Sequence, residues 1–421
     1  MPSYKLPSIF PLWNKNLNHK MNIQRNIFAL LLFFSFLTIN GCSKNMQAQK
    51  GWYKGNLHTH SYWSDGDEFP EVIMDWYKTR GYDFLALSDH NTTATGEKWV
   101  EIREDSIYQN SFKNYLEQFG EEWVTYKEAD GKIQVKLKTF QEYQSKFEEE
   151  GEFLVIPSEE VSAGFEGKPL HMNVTNIQKL IMPIDGESVL EVLQNNINEV
   201  LKQRQEIGEP MLIHINHPNF HYAISLEDLK MLQGERFFEV YNGHPQVHNL
   251  GDTDHIGTEE MWDLVNIAYL QKGQPLLFGL ATDDSHNYHR IGSQFSNAGR
   301  GWIMVKTETL TPASLIESME KGDFYSSTGV SMSKVDFTNN RLSVEVVKEE
   351  GVEYQIQFIG CNKGDLEARV LYETVGEQAE FVVNEEILFV RAKVTSTKKQ
   401  TNPIENMEAE MAWTQPVTFS E

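Results

Sequence analysis

Only two cysteines, Cys42 and Cys361, occur in the 421 residues, which excludes a disulfide framework. Basic residues are scarce: 37 Lys and Arg stand against 61 Asp and Glu, a net charge of −24. Four of the bases (Lys5, Lys15, Lys20, Arg25) precede Cys42, so the body after it is more acidic still. A body so charged has no diffuse attraction for a phosphate backbone, which argues against general nucleic-acid binding. No apolar run reaches the roughly 20 residues that a membrane-spanning helix needs. There is no G-x-S-x-G elbow, no phosphate-cradling glycine motif, no internal repeat and no low-complexity run. Histidine is missing from the last 132 residues, 290–421, although the chain holds thirteen.

The longest apolar run, Ile27–Ile39, has thirteen residues, follows Lys15, Lys20 and Arg25, and is followed by Gly41-Cys42. Basic region, short apolar stretch and small residue read as a secretory signal over residues 1–41. Ile39-Asn40-Gly41-Cys42 resembles a bacterial lipobox, although Asn40 departs from the usual small residue. The resemblance implies that Cys42 is the lipid-modified first residue, that residues 42–50 form a polar tether, and that Met21 is a candidate start. The expected product is an exported, membrane-anchored lipoprotein on the periplasmic or cell-surface side. Cys361, the remaining thiol, reads as a small buried hydrophobe.

All histidines but His19 fall between His58 and His289, so one region carries the chemistry. Seven short apolar runs recur there and carry ligand-type residues: Lys54–His60, Phe84–His90, Phe153–Glu160, Leu170–Ile177, Met211–His217, Phe237–Asn242 and Leu276–Asp284. Each predicts a buried strand. Helical patterns separate most of them, at Glu71–Arg80, Phe140–Glu150, Gly186–Gln205 and Leu226–Leu232. Such alternation predicts an α/β fold with a parallel sheet or closed barrel whose chemistry sits at strand C-terminal ends.

A single histidine is usually an ordinary core or surface residue, but these form a set. His58 and His60 lie on one side of an extended strand, because side chains repeat with period two. Asp65 follows in a loop that Gly66 lets turn sharply. Asp89-His90, Glu160, His171, His217 and Asp284-x-His286 add nitrogen and oxygen ligands without a thiolate. That donor chemistry suits Zn, Mn or Fe, and the number of ligands implies two or three divalent ions.

The segments HTHSYWSDG, LSDHN, PSEEVS with LHMNV, INHPN and ATDDSH resemble the ordered motifs of the PHP (polymerase and histidinol phosphatase) metallohydrolase family. The resemblance implies a distorted seven-stranded (β/α) barrel over residues 51–330 and the metal ligands His58, His60, Asp65, His90, Glu160, His171, His217, Asp284 and His286. It places His58, His60, Glu160 and Asp284 on a first ion, Glu160, His171 and His217 on a second, and Asp65, His90 and His286 on a third. FFEVYNGHPQVHNLGD and GRGWIMVKTETLTPASLIESMEKGDFYSSTG resemble the carbaryl-hydrolase-like branch. That branch spans phosphoesters and carbamates, so the substrate is not fixed.

The expected activity is metal-dependent hydrolysis, foremost of a small organic phosphate, with Glu160 bridging the ions. Amide or carbamate hydrolysis at the same site, and a metal-containing ligand-binding lipoprotein without turnover, are the alternatives. Arg290 and Arg300 are candidates for the substrate anion, His221, His244 and His289 for the acid, and Asn242 for substrate contact, each with an ordinary surface or turn role as its alternative. Thr92–Lys138, rich in aromatics, is too long for a bare connection and reads as a lid, with a packing insert as the alternative. Beyond Gly329 short alternating runs predict a β-sandwich accessory domain over residues 331–421, closed by Thr401–Gln415.

Overall fold

A computed structural model describes residues 51–420, and the expected signal, Cys42 and tether lie outside them. The described residues form one compact mixed α/β unit. Its first ten strands are β1 (Trp52–Asn56), β2 (Phe84–Leu87), β3 (Trp99–Glu101), β4 (Tyr126–Ala129), β5 (Lys132–Lys136), β6 (Leu154–Phe165), β7 (Lys168–Thr175), β8 (Leu212–Ile215), β9 (Phe237–Asn242) and β10 (Phe278–Thr282). Then follow β11 (Trp302–Lys306), β12 (Phe324–Ser327), β13 (Met332–Thr338), β14 (Arg341–Val346), β15 (Tyr354–Asn362), β16 (Arg369–Val375), β17 (Gln378–Val382), β18 (Ile387–Lys399) and β19 (Ala409–Thr414).

Every one of the seven apolar runs contains a strand, and these strands are neighbours in the order β10-β9-β8-β7-β6-β2-β1. A parallel bridge between Thr59 and Ser285 joins the two ends of that series. Side chains alternate across it. Phe84 and Ala86 of β2, Ile156 of β6, Leu212 of β8, Phe237 of β9 and Leu280 of β10 meet Leu57 in one buried cluster. Leu85 and Leu87 point the other way, towards helix Pro70–Lys78. The inner apolar plug leaves polar residues to gather at the strand ends above it.

The expected parallel order is broken once. β7 runs antiparallel to both β6 and β8. Phe165 pairs with Lys168 across a hairpin, and a connection that short admits only antiparallel strands. The other departures come late in the chain. β11 and β12, unmarked by the sequence reading, extend the sheet from β1.

Residues 99–136 touch the loop after β10, where the Tyr108 ring lies 5.5 Å from that of His289 and Asp105 pairs with Arg290 at 3.1 Å, and they also pack against helix Pro70–Lys78. Tyr108, Phe112, Tyr115, Val124 and Val135 are buried with Phe69, Ile73, Met74 and Tyr77 in one apolar cluster. Trp123 Nε1 and the Tyr115 hydroxyl donate to Glu71 Oε1 at 2.6 and 2.7 Å. The aromatics that suggested a lid pack the segment against helix Pro70–Lys78.

In the C-terminal part, β13, β14 and β17 form one sheet facing β15, β18 and β19 across a shared core that includes Val344, Ile356, Phe358 and Val394. β19, in the stretch expected to close this part, hydrogen-bonds both β18 and β12, so the sheet runs on without a break. Arg391 of β18 forms a buried two-pronged pair with Asp263 of helix Thr258–Gln271, at 2.7 and 2.8 Å. Cys361 is a buried free thiol, as expected.

Candidate metal centre

The centre is assembled where β1 and β10 run side by side past their ends. His60 N donates to the Ser285 carbonyl and Asp284 N to the His58 carbonyl, each at 2.9 Å, which sets the H-x-H pair beside the D-x-H pair. His58 and His60 are fully buried with ring centroids 5.2 Å apart. Glu160, also fully buried, reaches the same point from β6. His58 Nε2 is 3.4 Å from Glu160 Oε1 and 3.2 Å from Asp284 Oδ1. His171 Nδ1 and His217 Nε2 lie 3.0 and 3.5 Å from Glu160 Oε1, and His90 Nδ1 lies 2.6 Å from Oε2. Asp65 Oδ1 is 3.3 Å from His286 Nε2 and 3.5 Å from His90 Nε2.

All nine expected ligand residues therefore converge. Their grouping differs in part from the expected one. Asp65, His90 and His286 are joined by His60; His171 and Glu160 group with His90; His217 and Glu160 group with His58. The loop that presents Asp65 needs Gly66 for space: a Cβ there would sit 2.5 Å from the His60 carbonyl oxygen. His217 and Asp284 hold left-handed backbone at φ +23° and +49°, conformations that cost non-glycine residues energy and that cluster at functional sites.

The arrangement fits bound cations. His58 Nε2, His60 Nε2, Glu160 Oε2 and His171 Nδ1 are buried without a hydrogen-bond partner, and each such atom costs about 1–3 kcal/mol unless something satisfies it. They face one another. Against burial, the imidazoles of His90, His171 and His58 hold the Glu160 carboxyl well below its ordinary value. Burial works against His90 too, but Glu160 and Asp65 carry it up to about 11. His60 goes the other way, to about 3, through burial and the neighbouring His286 and His90.

Several expected substrate residues have other work. Arg300 is almost fully buried, and all its guanidinium donors are engaged by the carbonyls of Asn402, Gly243, Phe295 and Gly292 and by Asn402 Oδ1. It fastens loops and keeps no donor for a substrate. Asn242 donates to Glu239 Oε2 at 2.8 Å and Asp284 Oδ2 at 3.0 Å while its oxygen accepts the His244 N–H, so it orients a ligand. Arg290 is exposed and paired with Asp105 at 3.1 Å. His289 donates to the Asp67 carbonyl. His244 stays at the centre, its ring 5.7 Å from that of His286 and its pKa pushed down to about 4 by burial. His221 is exposed, in left-handed backbone, its ring 4.4 Å from Phe220, which in turn lies 5.1 Å from His217.

Four buried residues escaped the sequence reading. Asn216 donates to Glu160 Oε1 at 2.7 Å and to Asn173 Oδ1 at 2.9 Å. Glu239 accepts from His58 Nδ1 at 2.7 Å, and His214 lies 3.4 Å from the same oxygen. A signal existed: Glu239 is the only carboxylate in the run FFEVYN, and a carboxylate inside a buried strand needs a partner.

No protein-family model and no curated protein matches the chain. Among solved structures, it is similar to a two-domain protein from Bacteroides vulgatus containing a predicted PHP-like metal-dependent phosphoesterase, with 13% identity, 87% of this chain and 95% of that one covered, and a TM-score of 0.37. A proposed metal-dependent phosphoesterase from Bifidobacterium adolescentis matches with 11% identity over 58% of this chain and 92% of its own, TM-score 0.26. An amidohydrolase from Chromobacterium violaceum, with bound sulfate and no metal, matches with 12% identity over 64% and 96%, TM-score 0.27.

Proposed function

We propose that the chain is a metal-dependent hydrolase of the PHP type, a phosphoesterase acting on a small organic phosphate. What carries the reading is the convergence of seven further N and O ligand residues around Glu160 and Asp284, with buried lone pairs that face one another and have no other partner. The seven neighbouring strands, with the Thr59–Ser285 bridge, are read as the closed barrel and the paired C-terminal sheets as its β-sandwich companion. Two or three divalent ions bound there supply Lewis acidity and a water nucleophile usable near neutral pH. The groups that would hold them are His58, His60 and Asp284; His58, Glu160 and His217; His90, Glu160 and His171; and His60, Asp65, His90 and His286. His244, kept neutral by burial, faces the same space, where its ring can hydrogen-bond a substrate or accept a proton but carries no proton to give a leaving group.

One observation favours a second reading, hydrolysis of an uncharged amide or carbamate. The ion pairs of the centre are all between histidine and carboxylate, while Arg300 is engaged by carbonyls and Arg290 by Asp105. An anionic substrate would depend on the ions alone for positive charge. Metal analysis of the mature chain by plasma mass spectrometry, followed by rates on aryl phosphate and aryl carbamate panels, tests both. Two to three equivalents of Zn, Mn or Fe with phosphate turnover supports the first reading; turnover of carbamates alone supports the second; one equivalent or less, not restored by added metal, rejects both.

The export reading is also a proposal, resting on the basic residues, the thirteen-residue apolar run and Cys42. Lipid labelling of the membrane fraction lost in Cys42→Ser is the expected result, and an unlabelled parent chain would reject it.

A further inference from the structure

Glu239 stands at the centre of β9, fully buried, yet it is not among the nine expected ligands. Its Oε1 accepts from His58 Nδ1 at 2.7 Å and from the Thr282 hydroxyl at 2.8 Å. Its Oε2 accepts the His217 backbone N–H and the Asn242 amide, both at 2.8 Å. The same Asn242 amide donates its second hydrogen to Asp284 Oδ2 at 3.0 Å. One carboxylate thus touches the side chain of one ligand, the backbone of a second and, through one amide, the carboxylate of a third. His214, 3.4 Å away with no other partner for either nitrogen, completes the shell.

We infer that Glu239 is the positioning residue of the metal centre: it fixes the tautomer of His58 and ties His58, His217 and Asp284 into one rigid set. The inference rests on the metal-site reading above. An ionised carboxylate can only accept, so a hydrogen must sit on His58 Nδ1, and in the neutral ring that a metal needs the Nε2 lone pair faces Glu160 Oε1 and Asp284 Oδ1. Other rings of the centre are aimed by neutral oxygens. His286 Nδ1 uses the Asp284 carbonyl at 2.9 Å, and His60 Nδ1 has Ser64 Oγ at 3.3 Å. His58 therefore receives a full negative charge from outside the cluster, which raises its basicity as a ligand, and outer carboxylates of this kind contribute about 10–100-fold to metal affinity.

Glu239→Gln keeps the shape, removes the charge and turns an NH2 towards donors that need an acceptor. Zinc titration against a competing chelator should give Glu239→Gln about 10–100-fold weaker binding of at least one ion than the parent. Glu239→Asp, which keeps the charge, should recover part of the loss. Circular dichroism of the metal-free proteins checks that each is folded. A folded Glu239→Gln that binds all its zinc with parental affinity overturns the inference. Should the variants not fold, the parent chain still decides it: nitrogen-15 histidine NMR of the metal-free protein should show a proton on His58 Nδ1 whether or not Nε2 carries a second, and a proton on Nε2 alone overturns it. A parent that binds no zinc would reject the metal-site reading, while the tautomer measurement would still judge Glu239.

Discussion

Glu160 and Asp284 face each other across two imidazoles: His58 Nε2 and His60 Nε2 each lie 3.4 Å from a Glu160 oxygen and 3.2 and 3.4 Å from Asp284 Oδ1. Two buried carboxylates so placed stay ionised and close together only while positive charge lies between them. In Glu160→Gln the neutral amide cannot bridge cations. Metal content should fall by at least one equivalent and turnover by about 100-fold or more, while the metal-free protein remains folded. Plasma mass spectrometry and rates on the same preparation check it, and an active, metal-replete variant would remove Glu160 from the centre.

Metal uptake should release protons. His58, His90 and His286 are each carried above the ordinary imidazole value by carboxylates, against the effect of burial. Without an ion, His90, held at about 11, keeps its proton through the neutral range. A ligand must be neutral, so binding expels that proton and affinity rises with pH. Calorimetry of zinc binding in two buffers of different ionisation enthalpy should show net proton release near pH 7. Equal heats in both buffers would contradict the assignment.

The ligand set was legible in part because extended backbone has period two, which puts His58 and His60 on one side, whereas the choice of Glu160 over Glu159 came from the family resemblance. The structure places Glu160 at the centre, whereas Glu159 accepts the Ile181 N–H on the far side. Strand identities were legible for the same reason, since each inner face is apolar and each end polar. What the sequence hid was reach. Arg300 stands near the motifs in sequence, but its burial among carbonyls 102 residues away at Asn402 is set by tertiary packing. Glu239 was hidden inside an apolar run, because its partners His58 and Thr282 are 181 and 43 residues distant. The β7 reversal depended on a hairpin that an apolar run does not announce.

Arg300 should matter for stability through its carbonyl bonds. Arg300→Lys offers at most three donors to five acceptors and leaves buried carbonyls bare, a loss on the order of 3 kcal/mol. Arg290→Ala removes an exposed pair with Asp105 and should change stability by about 1 kcal/mol or less. Urea unfolding of the two variants side by side checks the contrast. Equal and small effects would mean that Arg300 is not the fastener the geometry indicates.

Glu159 makes a prediction about pH. Its side chain is fully buried, and burial pushes its carboxyl up to about 8 from 4.5, with the Ile181 N–H opposing. Below pH 4.5 the folded and unfolded chains both carry the proton, so the group contributes no slope. Between about 4.5 and 8 the folded chain keeps a proton that the unfolded chain has lost, so stability falls as pH rises. Above 8 the loss is complete, on the order of 5 kcal/mol. Glu159→Gln carries no ionisable group and should lose that slope, so its advantage over the parent should grow from pH 5 to pH 9. Metal-free samples in chelator isolate the effect from the centre. Urea midpoints that decline in parallel for parent and variant would show that Glu159 is ionised in the folded chain and that another group carries the pH dependence.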